Sequence, residues 1–475
     1  MALPTQSTHS GYNIRPVTRH LLLRGPRTRT RFAQPQWCHQ LGGREIQDQL
    51  SAMSSLLYKH LTKRRQGMPI GIYSVCSAHP WVIRAATEQA AEDGSLLLVE
   101  ATSNQVNQFG GYTGMRPADF RGFVLEYVAA AGLDTGSLIL GGDHLGPNPW
   151  RTMSASKAME HAVAMVAEYV QAGFTKIHLD ASMSCGGDPA HLSDQVIAMR
   201  AAELCKAAEG ARTSGDAPVY VIGTEVPVPG GATHSLNELD VTPASAAAYT
   251  LEVHKRIFVE QGLSEVWPRI VALVVQPGVE FNNDAVVAYD RQKAKPLVDW
   301  LGKQPEDIVF EAHSTDYQLP EAYQALVEDG FAILKVGPAL TFAMREALCT
   351  LEDMESQLVP EAQRSFLTQV VERTMLQEPA NWEPYYSGNP QEQKLLRLYS
   401  YSDRIRYYWN SPEISAAVDK LIANMSAVTI PESMCSRYLP AQYVRLRRKE
   451  IAADPVSLIV DHVRDVLRIY AAACN

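Results

Sequence analysis

The sequence predicts an α/β fold, a (β/α)₈ TIM barrel with a helical C-terminal extension. Three observations predict it. Eight short, largely apolar runs recur between residues 71 and 336, each closing on a polar or glycine-rich cluster. Helical patterns separate them, and beyond about residue 342 such patterns continue with no further strand-like run. Continuous rather than alternating apolar runs mark strands covered on both faces, as in a parallel sheet. An open doubly wound sheet would absorb the same alternation but gathers its polar ends at one or two switch points, whereas here all eight are polar.

The runs follow in order. Gly71–Val75 ends in Cys76-Ser77-Ala78-His79, and Pro80, suited to a first helical turn, opens a helix over 80–93. Leu96–Val99 ends in Glu100 to Gln105, and Ser137–Leu140 in Gly141-Gly142-Asp143-His144. Lys176–Leu179 ends in Asp180-Ala181-Ser182, and Val219–Ile222 in Gly223-Thr224-Glu225. Ile270–Val275 ends in Gln276-Pro277-Gly278, Ile308–Phe310 in Glu311 to Asp316, and Phe331–Leu334 in Lys335-Val336-Gly337-Pro338. Amphipathic segments at Ala155–Ala172, Leu192–Glu209, Pro243–Gln261 and Pro320–Glu328 repeat apolar residues every three or four positions, the helical spacing. The expected organisation is therefore a barrel over 53–341 and a helical region over 342–475 packed on it. Aromatic side chains crowd into Tyr399–Trp409, which reads as core packing or as a subunit interface.

Residues 1–52 carry seven arginines against Glu45 and Asp48 and show no apolar periodicity. No secretory h-region is present. The expectation is an extension outside the fold, disordered or upstream of a start at Met53, with an organelle transit peptide as the other reading.

The 475-residue chain is mildly acidic, with a formal net charge of −9, which gives it no electrostatic reason to bind nucleic acid. No apolar run reaches membrane-spanning length, so no membrane partner is expected. The seven cysteines are scattered without a CxxC pair, as in reduced thiols used as small hydrophobes, and a cytoplasmic location follows. Neither a Walker loop nor a kinase glycine-rich loop occurs, which argues against phosphoryl transfer from a nucleotide.

Buried strand ends gain nothing structurally from repeated carboxylates and imidazoles, so the C-terminal rim is the expected site. Asp143 beside His144 combines a carboxylate for proton transfer with a metal-binding imidazole. Asp143, Glu100 and Asp180 are the candidate catalytic acids. His144, Glu225 and His313 lie on odd-numbered strands, which approach one another across a barrel mouth. Two histidines and a carboxylate suit a divalent Lewis acid such as zinc; the plainer reading is structural, hydrogen-bonded histidines. Asn104, Gln105, Asn148, Ser182, Gln276, Ser314, Lys335, Gly337 and Thr341 are candidate contacts for a sugar phosphate. Gly337 precedes a helix whose free N–H groups could hold the phosphate. Lys335 is a charge partner more simply than a Schiff-base lysine.

Several of these strings carry a resemblance. VCSAHP from Val75, EATSNQVNQFGGYTGM from Glu100, GGDHLGPN from Gly141, KIHLDASMSC from Lys176, IGTEVPVPGG from Ile222, VVQPGVEF from Val274, EAHSTDYQ from Glu311 and ILKVGPALT from Ile333 resemble the KbaZ/GatZ family. The aromatic stretch Tyr399–Trp409 and Tyr438–Tyr443 do so as well, and the likeness runs from about residue 55 onward. The resemblance implies a subunit of class II D-tagatose-1,6-bisphosphate aldolase, needed for the activity and stability of a separate catalytic subunit, in galactitol or N-acetylgalactosamine catabolism. Some family members instead epimerise D-tagatose 6-phosphate at C4, which proceeds by metal-assisted retro-aldol cleavage and re-addition. Class II aldolases place an Asp-His pair on a barrel strand, and Asp143-His144 looks similar.

Overall fold

A computed structural model describes residues 55–213, 215–224, 239–305 and 307–475. The segment 1–52 and Glu225 lie outside the described residues. Eight parallel strands close into a barrel: β1 (Ile72–Val75), β2 (Leu97–Thr102), β3 (Leu138–Leu145), β4 (Lys176–Leu179), β5 (Val219–Ile222), β6 (Ile270–Val275), β7 (Val309–Ala312) and β8 (Phe331–Val336). The seam joins β1 to β8 in the register Ile72↔Ile333 through Val75↔Val336. The predicted TIM barrel with its helical extension is the observed fold.

Every strand is buried on both faces apart from Thr102 and Leu138 at the ends of β2 and β3, which explains the unbroken apolar runs. Outward-facing residues pack under the helices, and inward-facing ones divide by height. At the bottom of the barrel Ile72, Leu98, Ile139, Val219, Val271, Val309 and Ile333 form a separate apolar cluster. Helix α1 (Leu56–Thr62) plugs that end with Leu57 and Leu61. Higher up the same inward positions turn polar: Ser74, Glu100, Asp143, Lys176, His178, Glu311 and Lys335 are all buried. Because side chains alternate along a strand, one residue every two positions enters this polar layer.

Helices α2 (Pro80–Asp93), α3 (Pro117–Ala131), α4 (Ala155–Gln171), α5 (Asp194–Gly210), α6 (Ala244–Glu260), α7 (Arg291–Leu301), α8 (Pro320–Glu328) and α9 (Pro338–Leu358) surround the strands. A short antiparallel hairpin pairs Glu280–Phe281 with Val286–Val287 beyond β6. α9 begins inside the expected barrel range and runs on to Leu358, so no break falls between residues 341 and 342. Beyond it come α10 (Leu367–Gln377), α11 (Pro390–Tyr399), α12 (Pro412–Ala427), α13 (Glu432–Tyr438), α14 (Pro440–Arg447) and α15 (Pro455–Cys474). α15 lies across the seam against α2, α8, α9 and β1. There the Cys474 carbonyl accepts the Gly71 N–H at 3.0 Å. Among the described residues no helix is long and apolar enough to cross a membrane.

Two glycines shape the rim. At Gly141 a Cβ would stand 2.7 Å from Cγ of Glu100, so glycine leaves room for that side chain to cross the barrel. At Gly146 a Cβ would meet the Asp180 carbonyl oxygen at 1.5 Å, so glycine lets the ends of β3 and β4 touch.

Candidate active site at the barrel mouth

β3 and β4 slip register between Gly142 and Leu145, and His144 takes a left-handed φ of 49°. A bulge re-aims side chains, and left-handed backbone at a non-glycine residue costs roughly 1–3 kcal/mol. Here both Asp143 and His144 reach the cavity at the mouth. Ser314, at φ 52°, lines the same cavity from the loop after β7.

A continuous ionic network lies beneath. Lys176 Nζ is 2.7 Å from Glu100 Oε1 and 2.6 Å from Glu311 Oε2, with no exposure on any of the three side chains. Lys335 Nζ joins Glu100 Oε2 at 2.9 Å to Asp143 Oδ1 at 2.8 Å. His178 Nδ1 lies 3.0 Å from Asp143 Oδ1, and His313 Nε2 lies 2.9 Å from Glu311 Oε1. His144 Nδ1 pairs with Asp180 Oδ2 at 2.9 Å, while the other oxygen of Asp180 accepts the Ser182 hydroxyl at 2.6 Å.

Burial works against every charge here, and the partners decide the outcome. Burial alone would push the Asp143 carboxyl up, but His144 and Lys335 hold it well below the usual carboxylate range. Glu311 behaves likewise between Lys176 and Lys335. Burial would lower the His144 imidazole, yet Asp143 and Asp180 outweigh it and raise the pKa. For His313 burial wins, lowering the pKa to about 4, so that ring is neutral. Burial pushes the Asp316 carboxyl up to about 6.

The expected residues divide in three. Asn104, Gln105, Asp143, His144, His313, Ser314, Lys335 and Gly337 line the main cavity, and Thr341 an adjoining one. Glu100 and Asp180 lie just below, supporting Lys335 and His144. Ser182 holds Asp180, and Gln276 braces its own turn by accepting the Gly278 and Val279 N–H groups. Asn148 opens a short turn after β3 and is not among the cavity residues. The N–H groups of Gly337 and Ala339, expected to face a phosphate, instead donate to Asp316 Oδ1 at 3.1 and 2.8 Å.

Asp143, His178, Glu311 and His313 can each present a ligand atom within 4.8 Å of the others. His178 Nε2 is buried without a hydrogen-bond partner among the described residues. Counting Glu100, Asp143, Asp180 and Glu311 against Lys176 and Lys335 leaves negative charge in excess. This donor set fits a divalent cation. It differs from the expected trio in that the grouped donors do not include His144, and Glu225 lies outside the described residues. His178 and Lys176 were missed as site residues, as was Arg406 of the C-terminal region, which lines both cavities. Lys176-x-His178-x-Asp180 was the available signal, since polar residues two apart inside a buried strand all enter the barrel.

The chain has relatives of known structure. A probable tagatose 6 phosphate kinase from Sinorhizobium meliloti 1021 superposes with a TM-score of 0.79 at 49% identity, over 85% of this chain and all of that one. The YdjI aldolase from Escherichia coli K12 and the fructose-bisphosphate aldolase from Campylobacter jejuni give TM-scores of 0.39 and 0.40 at 11% and 13% identity. The former covers 62% of this chain and 86% of its own, the latter 78% and 92%. These two similarities are too weak to carry an argument. The model of the D-tagatose-1,6-bisphosphate aldolase subunit GatZ/KbaZ-like family matches residues 57–475, and the chain belongs to that family.

Proposed function

We propose that this chain is itself an enzyme of aldolase-type chemistry, a D-tagatose-6-phosphate 4-epimerase. The observation that carries the reading is the His144–Asp180 pair, an imidazole of raised pKa held by a buried carboxylate at a solvent-reached cavity. A scaffold has no use for such a pair, whereas a proton carrier needs it. C4 epimerisation without a redox cofactor requires breaking the C3–C4 bond, turning the aldehyde, and re-forming the bond on its other face. His144 takes the C4 hydroxyl proton as the bond breaks and returns it after re-addition, with Asp180 fixing the ring orientation. The electrostatics favour His144 over Asp143 for this role, because a carboxylate held far below its usual range is a weak base. Asp143 and Glu100 instead anchor the Lys335 ammonium at the cavity wall. Asp143, His178, Glu311 and His313 would hold a divalent metal, which supplies Lewis-acid polarisation of the C2 carbonyl.

The test uses the purified chain alone with D-tagatose 6-phosphate, with and without added zinc, and measures D-fructose 6-phosphate. Turnover is expected, falling by about 10²–10⁴ in His144→Gln, the usual range for a general acid–base group. No turnover without a partner would refute the reading. The family description favours a second role, as the helper subunit of a class II aldolase. That role predicts co-purification with the catalytic chain, and a longer aldolase half-life that His144→Gln leaves intact.

A further inference from the structure

We propose that Arg406, delivered to the mouth by the C-terminal region, anchors the phosphate of the substrate. The proposal rests on the reading of the mouth as a sugar-phosphate site and adds the residue that recognises the phosphate.

The barrel is electrically lopsided. Its depth is lined by carboxylates paired with Lys176 and Lys335 and by donors that suit a cation, so a phosphate has its place at the rim. There the helix terminus after β8 is already answered by Asp316. Lys335 is committed to Glu100 and Asp143. Arg406 lines both adjoining cavities and makes no ion pair within 4 Å among the described residues. Its Nη1 donates to the Ser402 and Asp403 carbonyls and its Nη2 to the Tyr407 hydroxyl at 3.1 Å. Those bonds aim the guanidinium without neutralising it. A guanidinium presents a planar fork of donors suited to phosphate oxygens.

The segment is bolted down on both sides. Asp403, at a left-handed φ of 44°, accepts Thr341 Oγ1 at 2.6 Å and Arg345 Nε at 2.8 Å, both from α9. On the other side Ser400 Oγ donates to Asn283 Oδ1 at 2.8 Å and the Tyr401 N–H to the Asn283 carbonyl at 2.9 Å. Tyr407 then packs edge-on against Tyr112 of the loop after β2, with ring centres 5.3 Å apart. Arg406 is thus a preorganised cation, which spares the ligand an ordering cost.

Calorimetry on the full chain, titrating D-tagatose 6-phosphate, D-tagatose and inorganic phosphate in turn, tests this. Arg406→Gln should weaken D-tagatose 6-phosphate about 10- to 100-fold, as expected for losing a charged hydrogen-bonding pair, and abolish binding of inorganic phosphate. D-tagatose should be unaffected within about twofold, and Arg406→Lys, which keeps the charge but not the fork, should fall between. Unchanged affinity for the phosphorylated sugar overturns the proposal. So does an equal loss for both sugars, or no binding of any phosphate by the parent chain, since each removes phosphate recognition from Arg406. If the parent binds D-tagatose 6-phosphate through Arg406 without converting it, the epimerase reading fails and the anchor stands.

Discussion

Replacing Lys176 by Met tests whether the barrel is held together by its internal charges. The ammonium is fully enclosed, 2.7 and 2.9 Å from the two oxygens of Glu100 and 2.6 Å from Glu311 Oε2. Methionine fills similar volume, so the change removes charge and leaves the packing. Breaking a buried ion pair by deleting one partner costs about 3–5 kcal/mol. With an unfolding entropy of about 2.1 cal/mol/K per residue over roughly 420 residues, that is a fall in Tm of about 3–6 °C. The loss depends on pH with a definite sign. In the parent, Lys176 and Lys335 hold the Glu311 carboxyl below its unfolded value, so its stabilisation is present above the unfolded pKa and lost as pH falls. In the variant burial meets less opposition, the Glu311 pKa rises, and that contribution shrinks or reverses. The Tm gap between parent and variant should therefore widen from pH 4 to pH 8, as followed by differential scanning calorimetry. Equal melting temperatures at pH 8, or a gap that narrows as pH rises, would refute the reasoning.

Two further outcomes follow from the same electrostatics. Asp180→Asn removes a carboxylate that raises the His144 pKa, so the His144 ring should titrate at lower pH in a histidine NMR titration; an unmoved midpoint would show that Asp143 alone sets it. Cys76 faces the cavity, yet burial pushes its thiol up. At pH 8 iodoacetamide should modify Cys76 at least about tenfold more slowly than glutathione, as read by mass spectrometry, because the thiolate is the nucleophile.

The barrel was legible because parallel strands leave an unmistakable trace. Runs such as Ile270–Val275 are apolar at every position, and α2 and α8 begin and end at the expected residues, each opened by a proline. The rim acids and histidines were legible because they stand just past those runs. His178 and Lys176 were harder to place, since they sit within the strand rather than past its end, and their role shows only once the inward face is known. Arg406 was hidden for another reason. Nothing local in Tyr399–Trp409 says which part of the molecule it covers; Asn283, Thr341 and Arg345 decide that, and they lie far away in the chain. The expected phosphate site after β8 is free in sequence, but Asp316 folds back onto it.

The way α15 closes the seam also orders events during synthesis. β1 leaves the ribosome early, but the Gly71 N–H has its acceptor in Cys474, and Arg464 meets Gln89 at 3.1 Å on α2. Tyr470 likewise bonds Thr315 Oγ1 at 3.0 Å and stacks near Tyr323, with ring centres 4.2 Å apart. Contacts this distant in sequence are slow to form. A nascent chain therefore carries an uncovered seam, with the apolar side of α2 exposed, until α15 has emerged. Products that stop short of α15 would present that stripe to chaperones and proteases, so this helix doubles as the latch that marks the barrel as closed.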